Sequence, residues 1–367
     1  MNNVQLGIIG IGTMGAVHAQ NVFSGKVSGL ELAAVADGNS ERREWAKENF
    51  PAGFPVFTDG YKLIQSGRVQ AVLIATHHYD HPPLTISAIK AGLHVMCEKP
   101  AGVHIKHVRE MNETAEKSDR VFGMMFNQRT NCHFRKIHEL VHSGTLGAIK
   151  RVSWIITNWY RTQAYYDSGG WRATWAGEGG GVLLNQCPHN LDLLQWICGM
   201  PHKVRAFCHY GKWHDIEVED DVTAYLEYPH GATGTFITST ADAPGTNRFE
   251  ITLDKGKLVI ENNKNIILQE LEISEREFCA TAKGGFDQPP MHQIEVKTDG
   301  INEGHNGVLK AFAGKILHGT PLVAEGTEGI HSLALSNAMH LSSWLDTTVS
   351  LPVDEDLFLE ELNKRRG

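Results

Sequence analysis

At 367 residues, with 41% hydrophobic and 21% charged residues, the chain is too long for one ordinary core and too balanced for a fibrous or disordered protein, so two folded domains are expected. A formal charge of −8 with no basic block excludes a nucleic-acid surface, which needs clustered Lys and Arg, and no apolar run approaches the roughly 20 residues that span a bilayer. Small molecules are the expected partners, with neither nucleic acid nor membrane among them.

In chain order, the amino-terminal "MNNVQLGIIGIG" enters an apolar strand at once and lacks the basic flank and cleavage site of a signal peptide, so a cytoplasmic location is expected. Residues 4 to 125 then alternate short β-branched runs ("VQLGIIG", "LELAAVAD", "VQAVLIAT", "HVMCE", "VFGMMFN") with helical stretches such as "PPLTISAIKAG". That alternation predicts a parallel α/β domain. A helix rich in His and Leu, "HFRKIHELVHSG", joins the halves. From about residue 149 long alternating runs ("VTAYLEY", "GATGTFITST", "RFEITLD", "KLVIEN") are separated by turn signals, which predicts an antiparallel sheet. A late helix, "GIHSLALSNAMHLSSWL", follows. The expected organisation is a Rossmann dinucleotide-binding domain over residues 1–127 and an α+β domain on an open, largely antiparallel sheet over residues 128–367. Cys97, Cys132, Cys187, Cys198, Cys208 and Cys279 show no C-x-x-C pair, so reduced thiols are expected rather than a disulfide framework or a zinc ribbon.

Gly10-Ile11-Gly12-Thr13-Met14-Gly15 is a G-x-G-x-x-G between a strand and a helix-compatible run. Gly10 permits the tight turn, Gly12 lets backbone approach a pyrophosphate, and Gly15 allows close helix–strand packing, with the helix N-terminus aimed at the anion. Asp37 ends the second strand at the spacing where a carboxylate takes ribose hydroxyls. NAD is therefore expected over NADP; Arg42 and Arg43 keep NADP as the minority reading.

"LHVMCEKPAG" places Glu98 and Lys99 at the carboxyl end of a parallel strand, where open α/β sheets bind ligands, and Pro100 stops the strand there. In "GGGVLLNQCPHNLDLLQWICG", Pro188 opens a helix that runs to about Cys198 and ends at Gly199. His189 then lies near a helix N-terminus, whose dipole disfavours the imidazolium and keeps the ring available as a base. Asp192 shares its face, either to orient it or to cap the turn.

These residues resemble the Gfo/Idh/MocA oxidoreductases, which act mostly on sugars, cyclitols and their derivatives. The resemblance covers nearly the whole chain and is carried by "GIGTMGAVHA", "AVAD", "AVLIATHHYDH", "AGLHVMCEKPAG", "GGGVLLNQCPHNLD" and "LSSWLDTTVSLP". It implies that Lys99 and His189 face the nicotinamide and the reacting carbinol, with Asn185 as their neighbour, and that the second domain's sheet mediates dimer or tetramer formation. The cofactor set expected is Gly10, Gly12, Thr13, Met14, Gly15, Asp37, Thr76, His77, His81, Glu98, Lys99 and Asn127. The sequence departs from the family twice: many members carry aspartate where Asn185 stands, and many carry proline where this chain has His77 and His78. The spacing of His77, His78 and His81 is not a metal-helix pattern, so no metal is expected.

A base is needed to take the hydroxyl proton. A lysine near 10.4 would have to fall to neutrality, about 4 kcal/mol, whereas histidine starts near 6.5. His189 is therefore the expected base, with Lys99 donating to the substrate oxygen. Substrate contacts are expected from Lys99, Arg129, Tyr160, Arg161, Trp171, Arg172, Asn185, His189 and His305, because aromatic and amide groups suit a hydroxylated ring. The leading function is an NAD-dependent dehydrogenase of a sugar, a glycoside (at C3) or a cyclitol. The alternatives are a redox-neutral NAD-dependent glycosidase and an NAD-binding regulator.

Overall fold

The computed structural model describes residues 3–367. In chain order these form β1 (Val4–Ile9), α1 (Thr13–Phe23), β2 (Leu30–Ala36), α2 (Ser40–Asn49), β3 (Val56–Phe57), α3 (Gly60–Ile64), β4 (Ala71–Ile74), α4 (His81–Lys90), β5 (His94–Cys97), α5 (Ile105–Glu116) and β6 (Phe122–Met124). There follow α6 (Cys132–His142), β7 (Ile149–Ile156), α7 (Gln163–Tyr166), α8 (Pro188–Cys198), β8 (Lys203–Tyr210), β9 (Glu219–Glu227), β10 (Thr233–Ser239), β11 (Asn247–Leu253), β12 (Gly256–Glu261) and β13 (Lys264–Leu271). The last stretch holds α9 (Glu275–Thr281), β14 (Met291–Val296), α10 (Gly304–His318), α11 (Gly329–Trp344), β15 (Val349–Ser350) and α12 (Glu355–Arg366).

The chain divides into two compact units, the first ending at Thr130 but also taking Asn302–Leu333, the second made of Asn131–Ile301 and Ala334–Gly367. This differs from the expected division at residue 127, because a segment far downstream returns to the first unit. The reason is apolar: Val308, Leu309, Phe312 and Ala313 of α10 are buried in the same core as Leu6, Ile8, Leu30 and Leu32, and burial of such side chains contributes roughly 1.5–3 kcal/mol each.

In the first unit the strands run in the order β3-β2-β1-β4-β5-β6, all neighbours parallel. The order reverses at β1, between β2 and β4, which is where an open α/β sheet leaves its ligand crevice. β4 is buried along its whole length, as expected of a strand covered on both faces.

The second unit is built on a sheet of order β14-β13-β12-β11-β7-β10-β9-β8-β15. All its pairings are antiparallel except β7 with β10, which run parallel. β11 alternates strictly between buried and half-buried residues, so one face of the sheet carries the core and the other stays open. Trp154 of β7 is fully buried, stacks on Phe249 of β11 at 4.1 Å, and donates its indole N–H to Asn247 at 3.2 Å.

Candidate active site

In the first unit the candidate cofactor residues lie along the carboxyl ends of the parallel strands. After β1, Gly10 takes a φ of +86° and Gly15 sits so close to it that a Cβ on Gly15 would lie 1.8 Å from the Gly10 carbonyl oxygen. Only glycine meets both demands. Gly12 differs: a Cβ there would meet nothing within 4 Å, so the protein itself places no steric demand on this glycine. Gly12 is also the N-cap of α1 with no side chain capping it, which leaves the first-turn amides for an anion. Thr13 and Met14 are exposed beside it.

Asp37, at the end of β2, accepts the Ile11 amide at 2.8 Å and the Asn39 amide at 2.8 Å. Its carboxylate thereby ties β2 to the glycine turn. Arg43 donates to the Asp37 and Gly38 carbonyls at 2.9 and 2.7 Å, an engagement that suits a ribose-binding carboxylate better than a 2′-phosphate. An open cradle at Gly12, uncapped amides and Asp37 together fit NAD.

Further along the same edge, Thr76 and His77 follow β4, and His81 opens α4. His81 is buried, with Nδ1 2.7 Å from the Pro100 carbonyl and Nε2 3.1 Å from the Thr76 carbonyl. Burial pushes its pKa down, against the upward pull of those two carbonyls. The neutral ring that burial favours has a single N–H, so it donates to one of the two carbonyls, that of the β4 loop or that of the turn after β5. Among the described residues no group of His, Cys, Asp and Glu is arranged to hold a metal ion.

Glu98 and Lys99 follow β5, and the Lys99–Pro100 peptide is cis. Glu98 is buried and pairs with His18 of α1 at 2.8 Å, while its other oxygen accepts the Lys99 amide at 3.1 Å. Burial by itself would raise the Glu98 pKa, but the His18 hydrogen bond and the charges of His18, Lys99 and His305 outweigh it and hold the carboxyl at about 2. Lys99 is half-buried. His305, expected at the substrate, stacks edge-on against His18 at 5.4 Å, and burial lowers its pKa. Its structural place is therefore in the Glu98 cluster. Asn127 is buried in the short turn after β6. Arg129, also expected at the substrate, is 3% exposed, with its guanidinium 2.6 Å from the half-buried Glu328 and over the Phe126 ring; a buried guanidinium paired in this way holds structure.

The second unit carries the other candidate residues. His189 occupies the first turn of α8, whose N1 residue is Pro188 and whose end is Gly199 at a φ of +81°. The helix matches the sequence expectation residue for residue. His189 is half-buried. Asp192, 1% exposed, accepts from Gln195 at 3.1 Å.

The glycine run before α8 rests on Glu219 of β9. Both carboxylate oxygens lie 2.9 Å from the Gly181 amide, one accepts the Leu183 amide at 2.9 Å, and His340 faces the other at 2.9 Å. A Cβ on Gly181 would stand 2.0 Å from the Glu219 carbonyl. The turn that presents Asn185 and His189 is therefore fixed from the sheet.

Around it, Tyr165 of α7 is a hub that sequence reasoning missed. Its hydroxyl receives Arg172 at 3.1 Å, Gln186 at 3.3 Å and Asn185 at 3.4 Å. Arg172 lies over the Tyr165 and Trp171 rings at 4.7 and 4.5 Å, and Arg161 lies over the Trp159 and Tyr165 rings at 5.7 and 5.0 Å. Tyr160 is half exposed. Of the expected substrate residues, Arg161, Trp171, Arg172 and Asn185 are thus brought together, with Tyr160 beside Arg161 in the chain. Glu178 was the other omission: it is 2% exposed and accepts from Asn185.

Comparison with known proteins agrees with this fold. Residues 4–126 match the "Oxidoreductase family, NAD-binding Rossmann fold" model, and residues 134–259 match the GFO/IDH/MocA C-terminal domain. The chain is 27% identical over 267 residues to the myo-inositol 2-dehydrogenase of Thermotoga maritima, a match covering 71% of this chain and 75% of that one. It is 31% identical over 195 residues to the inositol 2-dehydrogenase of Rubrobacter xylanophilus, where the match spans 53% of this chain and 52%, about half, of the relative. The crystal structure of the WlbA dehydrogenase from Chromobacterium violaceum, solved with NADH and UDP-GlcNAcA, superposes with a TM-score of 0.82 at 25% identity, covering 96% of this chain and 97% of that one. With both family domains matched in order along one chain and a dinucleotide turn that fits the cofactor, the protein belongs to the Gfo/Idh/MocA oxidoreductases and uses NAD.

Proposed function

We propose that this chain oxidises a secondary hydroxyl of a sugar, glycoside or cyclitol, with His189 as general base and Lys99 donating to the substrate oxygen. The observation that carries the reading is the mounting of these groups. Lys99 is held at the lip of the dinucleotide sheet by a buried Glu98–His18 pair, and His189 by a proline-started helix N-terminus. NAD supplies the hydride acceptor when bound. The backbone from Gly10 to Gly15 would hold its pyrophosphate and Asp37 its ribose, with Thr76, His77, Glu98, Lys99 and Asn127 along the same strand ends. His81 contributes by lying between the Thr76 and Pro100 carbonyls and donating to one of them.

His189 takes the hydroxyl proton as charge develops on the substrate oxygen, and the Lys99 ammonium stabilises that oxygen. Tyr160, Arg161, Trp171, Arg172 and Asn185 bind the ring, its apolar face against the aromatics and its hydroxyls against the amide and guanidinium groups. The relatives named inositol 2-dehydrogenase support a cyclitol, and the solved relative holding UDP-GlcNAcA brings nucleotide sugars into consideration. Phe207 and Tyr225, 51% and 43% exposed on the open face of β8 and β9, support self-association through that sheet; light scattering should then give a dimer or tetramer. No helix among the described residues is long and apolar enough to cross a membrane, and the free cysteines support a reducing cytoplasm.

The test is NADH absorbance with inositols, free hexoses, glycosides modified or not at C3, and nucleotide sugars. A rise with one class is expected. Product by chromatography without net NADH supports the redox-neutral reading instead, and ligand binding without any turnover supports a regulator.

A further inference from the structure

Many members of this family place a carboxylate where this chain has Asn185, and in this chain a buried carboxylate lies in contact with that asparagine. Glu178, seven residues earlier, is 2% exposed. One of its oxygens accepts from the Asn185 amide nitrogen, and the other accepts the backbone N–H of Ala173 at 2.7 Å. Ala173 holds a φ of +54°, a left-handed conformation that an L-residue keeps only when its surroundings fix it. The second donor direction of the Asn185 amide points to the Tyr165 hydroxyl at 3.4 Å, the same hydroxyl that receives Arg172 at 3.1 Å.

A carboxylate accepts and does not donate, so Glu178 dictates which way the Asn185 amide is turned. With its nitrogen committed to Glu178 and Tyr165, the amide presents its carbonyl oxygen in the opposite direction. We infer that Glu178 is a positioning residue that orients Asn185 as a hydrogen-bond acceptor for a substrate hydroxyl, and that through the Ala173 amide it sets the adjoining Trp171–Arg172 turn. The inference deepens the dehydrogenase reading and rests on it.

Among the charged and titratable groups around Glu178 are Arg172, which lowers its pKa, and Glu219, which raises it, with Tyr166 also within its field. Burial leads these effects and holds the carboxyl above its usual range.

The arrangement makes a prediction opposite to the family pattern. Restoring aspartate by Asn185→Asp sets two carboxylates in contact and should lower kcat/KM by about a hundredfold, like charges at close range being strongly unfavourable. Glu178→Gln should also weaken turnover, by about tenfold, because a donor now faces the Asn185 nitrogen and the amide must flip. The exchange Glu178→Gln/Asn185→Asp should recover to within a few-fold of wild type: the introduced glutamine can donate to the introduced aspartate from the position of one oxygen while its carbonyl still accepts the Ala173 amide.

Thermal unfolding of the same variants without substrate, at pH 5 and pH 8, reads the contact separately from turnover. Asn185→Asp alone should lose more stability at pH 8, where both carboxyls are ionised, and the double variant should not. Recovery in both measurements supports the inference. Asn185→Asp turning over like wild type, additive single effects in the double variant, or recovery of stability without recovery of kcat/KM would each overturn it. Wild-type turnover across the substrate panel tests the dehydrogenase reading independently, so failure of that reading is visible before any variant is compared.

Discussion

The glycine turn separates a demand of the fold from a demand of the cofactor, and two alanine variants tell them apart. Gly15→Ala puts a methyl 1.8 Å from the Gly10 carbonyl oxygen, 1.2 Å inside the 3.0 Å that real Cβ atoms essentially never breach. The obstacle is backbone, so α1 must slide from β1, and the expected cost is about 3 kcal/mol, the upper range for overpacking. Gly12→Ala meets no protein atom within 4 Å and has an ordinary φ of −64°, so it should cost only the poorer N-cap, about 0.5–1 kcal/mol. The same methyl stands over the uncapped amides of α1, where the pyrophosphate approaches, and should weaken NADH binding at least tenfold, about 1.4 kcal/mol. Denaturant unfolding of the free protein and fluorescence titration with NADH measure the two quantities. A Gly12→Ala variant that binds NADH like wild type, or a Gly15→Ala variant that unfolds like it, refutes the reasoning.

Glu219→Gln should destabilise by about 2–4 kcal/mol, because a buried carboxylate that accepts two backbone amides and faces His340 loses its charge; a smaller change in chemical denaturation contradicts the role given to it. Glu98 has a folded pKa depressed from 4.5 to about 2, so its contribution to stability is complete above about 4.5 and is lost as pH falls toward 2. Acid unfolding of wild type should therefore be steeper in that window than that of Glu98→Gln, and identical slopes would show that the pair carries no linkage. Of the cysteines only Cys279 is exposed, and titration of native protein with a thiol reagent should show one fast-reacting group, absent in Cys279→Ser.

Much of the dinucleotide-binding edge was legible because its signals are local. The turn from Gly10 to Gly15, the carboxylate of Asp37 and the strand stop at Pro100 each constrain neighbouring backbone, and the helix from Pro188 to Cys198 carries its own start and stop. What stayed hidden depends on distant partners. Nothing in "GAVHAQ" reveals that His18 meets Glu98, eighty positions on. Nothing in α10 says which sheet its apolar face will cover. Arg129 looked like a ligand group because Glu328, the half-buried partner of its buried guanidinium, lies far away in sequence. Alternation of period two signalled the second sheet but cannot distinguish the parallel β7–β10 pair from its antiparallel neighbours. Tyr165 lies in the four-residue helix α7 and Glu178 in a turn, and the importance of both comes from what converges on them.

The division of labour between His189 and Lys99 is tested most directly by the pH dependence of kcat/KM for oxidation in wild type, His189→Ala and Lys99→Ala, on the substrate the panel identifies. The account predicts that His189→Ala loses about 10²–10⁴ in rate together with the acid limb of the profile, while Lys99→Ala is slower but keeps that limb. Near-wild-type oxidation by His189→Ala, with activity abolished in Lys99→Ala, would make the lysine the base and contradict it.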